Sequence, residues 1–303
     1  MGVPGTDRTV PDPVGRSRAC SALPRIAAVF CLLWLAVGLP AEGRERLRGR
    51  ETIPRLQGEE VAELVARVRA NRRGPASLLQ AEFLHFPRRG ERESRRAVLF
   101  FRWEADGSAS LRVEMPSGTR WLLRGGERPG AWQWTAETGA VERLSADAGW
   151  APLWPGVELT LFDWTAPYLD WPDYSYEGPD RVAGRPVQWV RFAPPPDWQG
   201  RLARERVTAV RLALDSRFSA PLRVEYLGGD GDVLRSVEVR SFRKVGEVWM
   251  VRRLEAFDER DRDRTEVQVA AAAVGITIPN QAWDPSALRE PLPLPPASAF
   301  ERF

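Results

Sequence analysis

The side chains able to do chemistry are few in this 303-residue chain: one histidine, His85, and two cysteines, Cys20 and Cys31. A single imidazole excludes a zinc centre that needs two, such as one built on HExxH. Two cysteines exclude a four-thiolate zinc ribbon and a disulfide framework. A Ser-His-Asp relay could use only His85 as its base. His85 stands in a strand-like run beside Phe83 and Phe86, and no G-x-S-x-G elbow occurs in the sequence. An ordinary strand histidine is the better reading.

Carboxylates are abundant, and a pair of them could cleave a glycoside. The densest group, Asp258, Glu259, Asp261 and Asp263, is interleaved with Arg260, Arg262 and Arg264. That is a self-neutralising, solvated stretch rather than a desolvated acid–base pair. The same arginines weigh against calcium at Asp258, Asp261 and Asp263, and the spacing lacks the glycine and terminal glutamate of an EF-hand loop. Gly228-Gly229-Asp230-Gly231 shares only glycine content with a phosphate loop and reads as a hairpin turn. No basic stripe marks a nucleic-acid surface: Lys244 is the one lysine, and 44 Lys+Arg face 41 Asp+Glu. These residues imply no catalytic set, no metal, no cofactor and no nucleic-acid partner.

What remains is aromatic surface, with 13 Trp against 4 Tyr. The elements that must position it follow from periodicity. Val61, Leu64, Val65 and Val68 stand at i, i+3, i+4 and i+7, one face of a helix over Glu59 to Asn71 that Gly74-Pro75 ends. From Ser77 the period changes to two. Ala97, Leu99, Phe101 and Trp103 share one face of a run; Leu111, Val113 and Met115 another; Trp121 with Leu123, and Trp132 with Trp134, two more. Gly, Pro and Asp-Gly punctuation separates them, as in an antiparallel meander. Residues 146–172 break the pattern with Trp150, Trp154, Phe162, Trp164, Tyr168 and Trp171 among four prolines. Thr160 followed by Asp163 is a capping-box variant that could start a short helix there. Strands resume with Val187, Trp189 and Arg191 and continue to Ala272.

The pattern predicts a mainly β (α+β) chain: one large, twisted antiparallel sheet of about eleven strands, an N-terminal helix, and a central helical insertion covering the concave face. A sheet that size tends to curl. Phe101, Trp103, Trp121, Trp132, Trp134 and Trp189 are the expected lining of an apolar cavity. Trp154, Phe162, Trp164 and Tyr168 are expected to form its lid. A plainly filled core is the competing expectation. Residues 58–288 make the domain, 42–57 a charged linker, and 289–303 a mobile Pro-rich tail.

Ile26 to Leu39 is a run of 14 residues without a charge, preceded by Arg16, Arg18 and Arg25 and followed by Pro40-Ala41. As a helix it would reach about 21 Å, short of the ~30 Å hydrocarbon core. A cleaved signal peptide over 1–41 is expected rather than a membrane anchor. Its removal leaves 40 basic against 39 acidic residues and no cysteine.

Several strand motifs resemble those of the LolA/LolB-like periplasmic outer-membrane lipoprotein-sorting proteins. They are Tyr174-Ser175-Tyr176-Glu177-Gly178 with Val182-Ala183-Gly184, Val210 to Asp215, Pro221 to Tyr226 with Asp230-Gly231, and Gly246 to Val251. Leu159 to Asp163, leading to Asp170-Trp171, is similar to the lipoprotein-sorting branch. The similarity is most specific over 159–285. The resemblance implies a half-open β-barrel closed by helices, and a non-enzymatic carrier of lipoprotein acyl chains or other lipid. It also implies a periplasmic location and inner- and outer-membrane partners. The family's lid-locking arginine has no assignable position in the sequence. The alternative on the same fold is an envelope interaction or sensing module with a filled core; a hydrolase would need an acid–base pair that the sequence does not offer.

Overall fold

The computed structural model describes residues 52–303 apart from 73, 106, 126–129, 146–148, 150, 151 and 216. The expected leader, most of the charged linker and Trp150 lie outside the described residues.

Helix α1 (Gly58–Ala70) forms where the apolar spacing put it, and buries Val61, Leu64, Val65 and Val68. The Gln57 backbone N–H donates to the Glu60 carboxylate at 2.7 Å, closing its first turn. Six strands follow as a meander: β1 (Ser77–Phe86), β2 (Glu93–Trp103), β3 (Ala109–Glu114), β4 (Arg120–Arg124), β5 (Gly130–Trp134) and β6 (Val141–Arg143). The insertion then carries helix α2 (Leu161–Thr165) and a 3₁₀ turn at Pro167–Asp170. Next come β7 (Tyr174–Val182), β8 (Arg185–Phe192), helix α3 (Pro196–Arg204), β9 (Ala209–Asp215) and β10 (Ala220–Leu227). The chain continues with β11 (Val233–Val245), β12 (Val248–Asp258), β13 (Arg264–Val274) and the short β14 (Glu301–Arg302).

All strands of the described residues join one 14-stranded antiparallel sheet in the order β6-β5-β4-β3-β2-β1-β13-β12-β11-β10-β9-β8-β7, with β14 added to β13. The sheet does not close; it is a curved, half-open barrel. It has more strands than the expected eleven or so, because two-residue and three-residue strands carry no readable period. Helix α3 was also not foreseen, although Pro196 at its first turn, Asp197 beside it and Arg201 and Arg204 in its last turn suit a helix.

The topology dictates where the insertion goes. Strands β6 and β7 are the two opposite edges of the sheet, yet they are consecutive in sequence. The connection between them crosses the concave face. Its contacts follow strand order: Trp154 meets Trp121 on β4 and Phe83 on β1. The Glu158 N–H then donates to Thr265 Oγ1 on β13 at 2.8 Å. Phe162 lies 5.9 Å from the ring of Tyr226 on β10.

Register decides which side chains face inward. Leu79, Leu99, Val113 and Trp121 stand opposite one another across β1–β4, and all belong to the concave core. The other parity, Leu78, Phe100, Arg112, Leu122 and Trp132, runs along the convex face. There the C-terminal segment covers it. Arg112, fully buried, donates to the carbonyls of Ala282 (3.2 Å) and Glu290 and to the Glu114 carboxylate at 2.7 Å. Arg120 donates to Leu288 O and Arg289 O, and Arg124 to Trp283 O. The expected mobile tail is docked: Leu292 N–H donates to Glu114 at 3.0 Å, and Phe303 N–H to Ala270 O at 2.9 Å. Prolines remove backbone donors, but here the arginines of the sheet satisfy the carbonyls.

Candidate functional site

The site is the concave face together with the insertion across it. Helix α2 is only five residues long, too short to be stable alone. Its capping box fixes it: Thr160 N–H donates to Asp163 Oδ2 at 2.7 Å, and Asp163 N–H to Thr160 Oγ1 at 3.4 Å. The helix ends at Ala166, whose φ of 35° lies in the left-handed region and turns the chain into Pro167.

The insertion fills the space beneath it with aromatic rings. Trp154 meets Phe83 edge-on at 4.7 Å and Trp121 at 5.7 Å. Trp164 lies 6.3 Å from Phe83. Phe162 packs on Tyr168, Trp171 and Tyr226, and on Trp198 of α3 at 5.4 Å. The edge-on pairs among them, Phe83–Trp154 and Phe162–Trp198, add about 0.5–1.5 kcal/mol each beyond their area.

Polar contacts fasten the insertion at two points. On one side Arg69 of α1 donates to Leu169 O at 2.6 Å and Trp171 O at 2.7 Å, while Arg72 forms a two-bond ion pair with Asp170. On the other, Arg235 of β11 donates to Asp163 through both terminal nitrogens, at 2.7 and 2.8 Å, and to Glu158 O at 2.7 Å. Tyr226 O–H donates to the same carboxylate, and the Arg235 guanidinium lies 4.3 Å over the Tyr226 ring. Burial alone would pull the Arg235 guanidinium down, but Asp163 beside it outweighs burial and holds it above its usual range. Burial and then Asp163 push the Tyr226 phenol up, so it stays a proton donor to the carboxylate. A cavity of about 220 Å³ opens beside this latch, lined by Glu158, Thr160, Tyr226, Arg235, Asp258 and Asp261 among others.

The expected lining residues divide. Phe101 and Trp121 are buried in the concave core, and Trp103 packs half-buried against it, edge-on to Phe101 at 5.1 Å. Trp132 and Trp134 lie on the convex face under the C-terminal segment, because β5 pairs Trp132 with Leu122 rather than with Trp121. Trp189 is opposite Ala213 on the outer face, with Arg211 stacked 4.6 Å over its ring. Trp154, Phe162, Trp164 and Tyr168 are all buried in the concave core. Arg69 and Arg235 are the residues sequence reading missed. Arg235 carried a signal: it shares the parity of the inward-facing Val237 and Val239. His85 is a buried strand residue against Gly156. Among the described residues no group of His, Cys, Asp and Glu could hold a metal ion, and no helix is long and apolar enough to cross a membrane.

Solved structures share this fold at low identity. A DUF1329 family protein from Desulfovibrio piger is 15% identical, covering 75% of this chain and 96% of that one, with a TM-score of 0.65. A putative outer membrane lipoprotein-sorting protein domain from Vibrio parahaemolyticus is 16% identical over 75% and 97%, also at 0.65. The LolA superfamily protein NE2245 from Nitrosomonas europaea is 10% identical over 73% and 96%, at 0.54. No curated protein matches the sequence. A family model described as "Uncharacterized protein" matches residues 109–290, from β3 through a 3₁₀ turn at Pro285–Arg289 whose Leu288 packs on the convex face. The chain has the LolA-like fold and belongs to the family that this model describes.

Proposed function

We propose that the protein is a periplasmic carrier that takes acyl chains of lipoproteins or other lipids onto its concave face when the insertion lifts. The carrying observation is how that face is covered. The insertion has no strand pairing with the sheet among the described residues. It lies on the inward ladder through aromatic side chains and is fastened by Arg69 and Arg235. Lifting it would uncover a continuous apolar surface including Phe83, Leu99, Phe101, Val113 and Trp121. Each CH₂ of a chain placed there contributes about 0.8 kcal/mol, set against the lost packing of the insertion. Binding would therefore be firm but reversible. The apolar run from Ile26 to Leu39 supports export, and the LolA-like fold supports carriage without catalysis.

The filled interior favours a second reading, an envelope interaction or sensing module whose insertion never leaves. Titration with a fluorescent long-chain fatty acid separates the two. The carrier reading expects saturable binding with quenching of tryptophan emission. Absence of both, with no lipid retained in native mass spectrometry after gentle purification, would leave the second reading standing.

A further inference from the structure

Among the described residues of the insertion, Glu158 has the one carboxylate that neither Arg72 nor Arg235 holds, since Asp170 and Asp163 take those two. Its backbone is fixed at both ends, the N–H to Thr265 Oγ1 and the carbonyl to Arg235. Its half-buried carboxylate lines the 220 Å³ cavity. The charged groups around it come from the neighbouring elements: Arg235 on β11, Asp258 at the end of β12 and Asp261 in the following turn line the same cavity, and Asp263 before β13 also acts on its charge. Arg260 and Glu205 line the same cavity, and His85 of β1 lies against Gly156 two residues away. The two cations are committed elsewhere, Arg235 to Asp163 and Arg260 to Asp258 at 2.6 Å. Glu158 thus shares this cavity with Asp258 and Asp261, and no cation is paired to its carboxylate among the described residues.

We propose that Glu158 makes the docking of the insertion pH-dependent: ionised, it is repelled by the aspartates of the β12–β13 turn and loosens the insertion, and protonated, it lets the insertion seat. The inference deepens the carrier reading, since it concerns the motion that reading requires. Burial first, and then Asp258, hold the Glu158 carboxyl above its ordinary range in the docked state. The docked state then binds the proton more tightly than the lifted one. Docking is strongest below the ordinary glutamate pKa and weakens as pH rises through the raised value.

The test is hydrogen exchange of residues 157–171 in the full chain without lipid, corrected for the intrinsic amide rate at each pH from about 4, below the ordinary glutamate pKa, to about 8. Wild-type protection should fall as pH rises, by about tenfold for each unit by which docking raises the carboxyl. Glu158→Gln should hold the low-pH level of protection throughout, whereas His85→Gln should keep the wild-type slope. If Glu158→Gln does not fold, Asp261→Asn reports the same interaction and should move the fall to lower pH. Protection that does not change with pH in the wild type, or the same slope in Glu158→Gln, would overturn the proposal. No lipid enters the assay, so failure of acyl binding and failure of the switch are separate results.

Discussion

Replacing Arg235 by Met should damage this protein more than any surface arginine replacement, and the structure sets the scale. Arg235 and Asp163 are both buried, and the guanidinium makes two bonds to the carboxylate and one to Glu158 O. Methionine would leave a charged carboxylate in the interior with Thr160 N–H, Thr160 O–H and Tyr226 O–H as remaining donors. Removing one partner of a buried pair costs about 3–5 kcal/mol, and the surviving donors place this case toward the lower end. At roughly 2–4 °C per kcal/mol for a domain of this size, the midpoint should drop by about 6–20 °C. Urea and thermal unfolding followed by circular dichroism measure it. The companion variant Arg235→Met/Asp163→Leu removes both charges. It should be more stable than Arg235→Met alone, although it also gives up the capping box, a loss of about 1 kcal/mol. The reasoning fails if Arg235→Met costs under about 1 kcal/mol, or if the double variant costs the sum of the two single ones.

Three further outcomes are expected. Trp132→Ala and Trp134→Ala should leave fatty-acid binding unchanged while Trp121→Ala weakens it, because only Trp121 faces the insertion; equal losses in the same titration would contradict the assignment of faces. Truncation after Gly275 should uncover Leu78, Phe100 and Leu122 and strip Arg112 of its carbonyl partners, giving aggregation on gel filtration; a monomeric chain with an unchanged melting temperature would show the segment to be dispensable. Ala183 and Gly184, at the β7–β8 turn, both have positive φ, so Ala183→Asn should stabilise by about 0.5 kcal/mol in urea unfolding, and a loss would show that the turn is not limiting.

Much of the frame was legible in residue order. Helix α1 is visible because four valine and leucine positions repeat at helical spacing, and the capping box at Thr160 and Asp163 is a local pattern with a local cause. The inward and outward faces were not legible in the same way. Alternation along β5 says that Trp132 and Trp134 share a face; only the pairing of Trp132 with Leu122 says which face it is. The same limit hid the covering of the convex side. A Pro-rich stretch announces irregular backbone, but not whether its carbonyls find donors. The donors here are Arg112, Arg120 and Arg124, at least 159 residues away in sequence and brought together by register. The latch was hidden for a related reason, since Arg235 is one arginine among many until Tyr226 stands opposite it.

The proposed carrier requires the insertion to be a movable cover over an acyl-binding face. Hydrogen exchange with and without a bound long-chain fatty acid tests it most directly. The account predicts that ligand raises exchange across residues 153–171 while the inward ladder of β1–β4 keeps its protection. Bound ligand with unchanged exchange in that segment, or no binding at all, would contradict it.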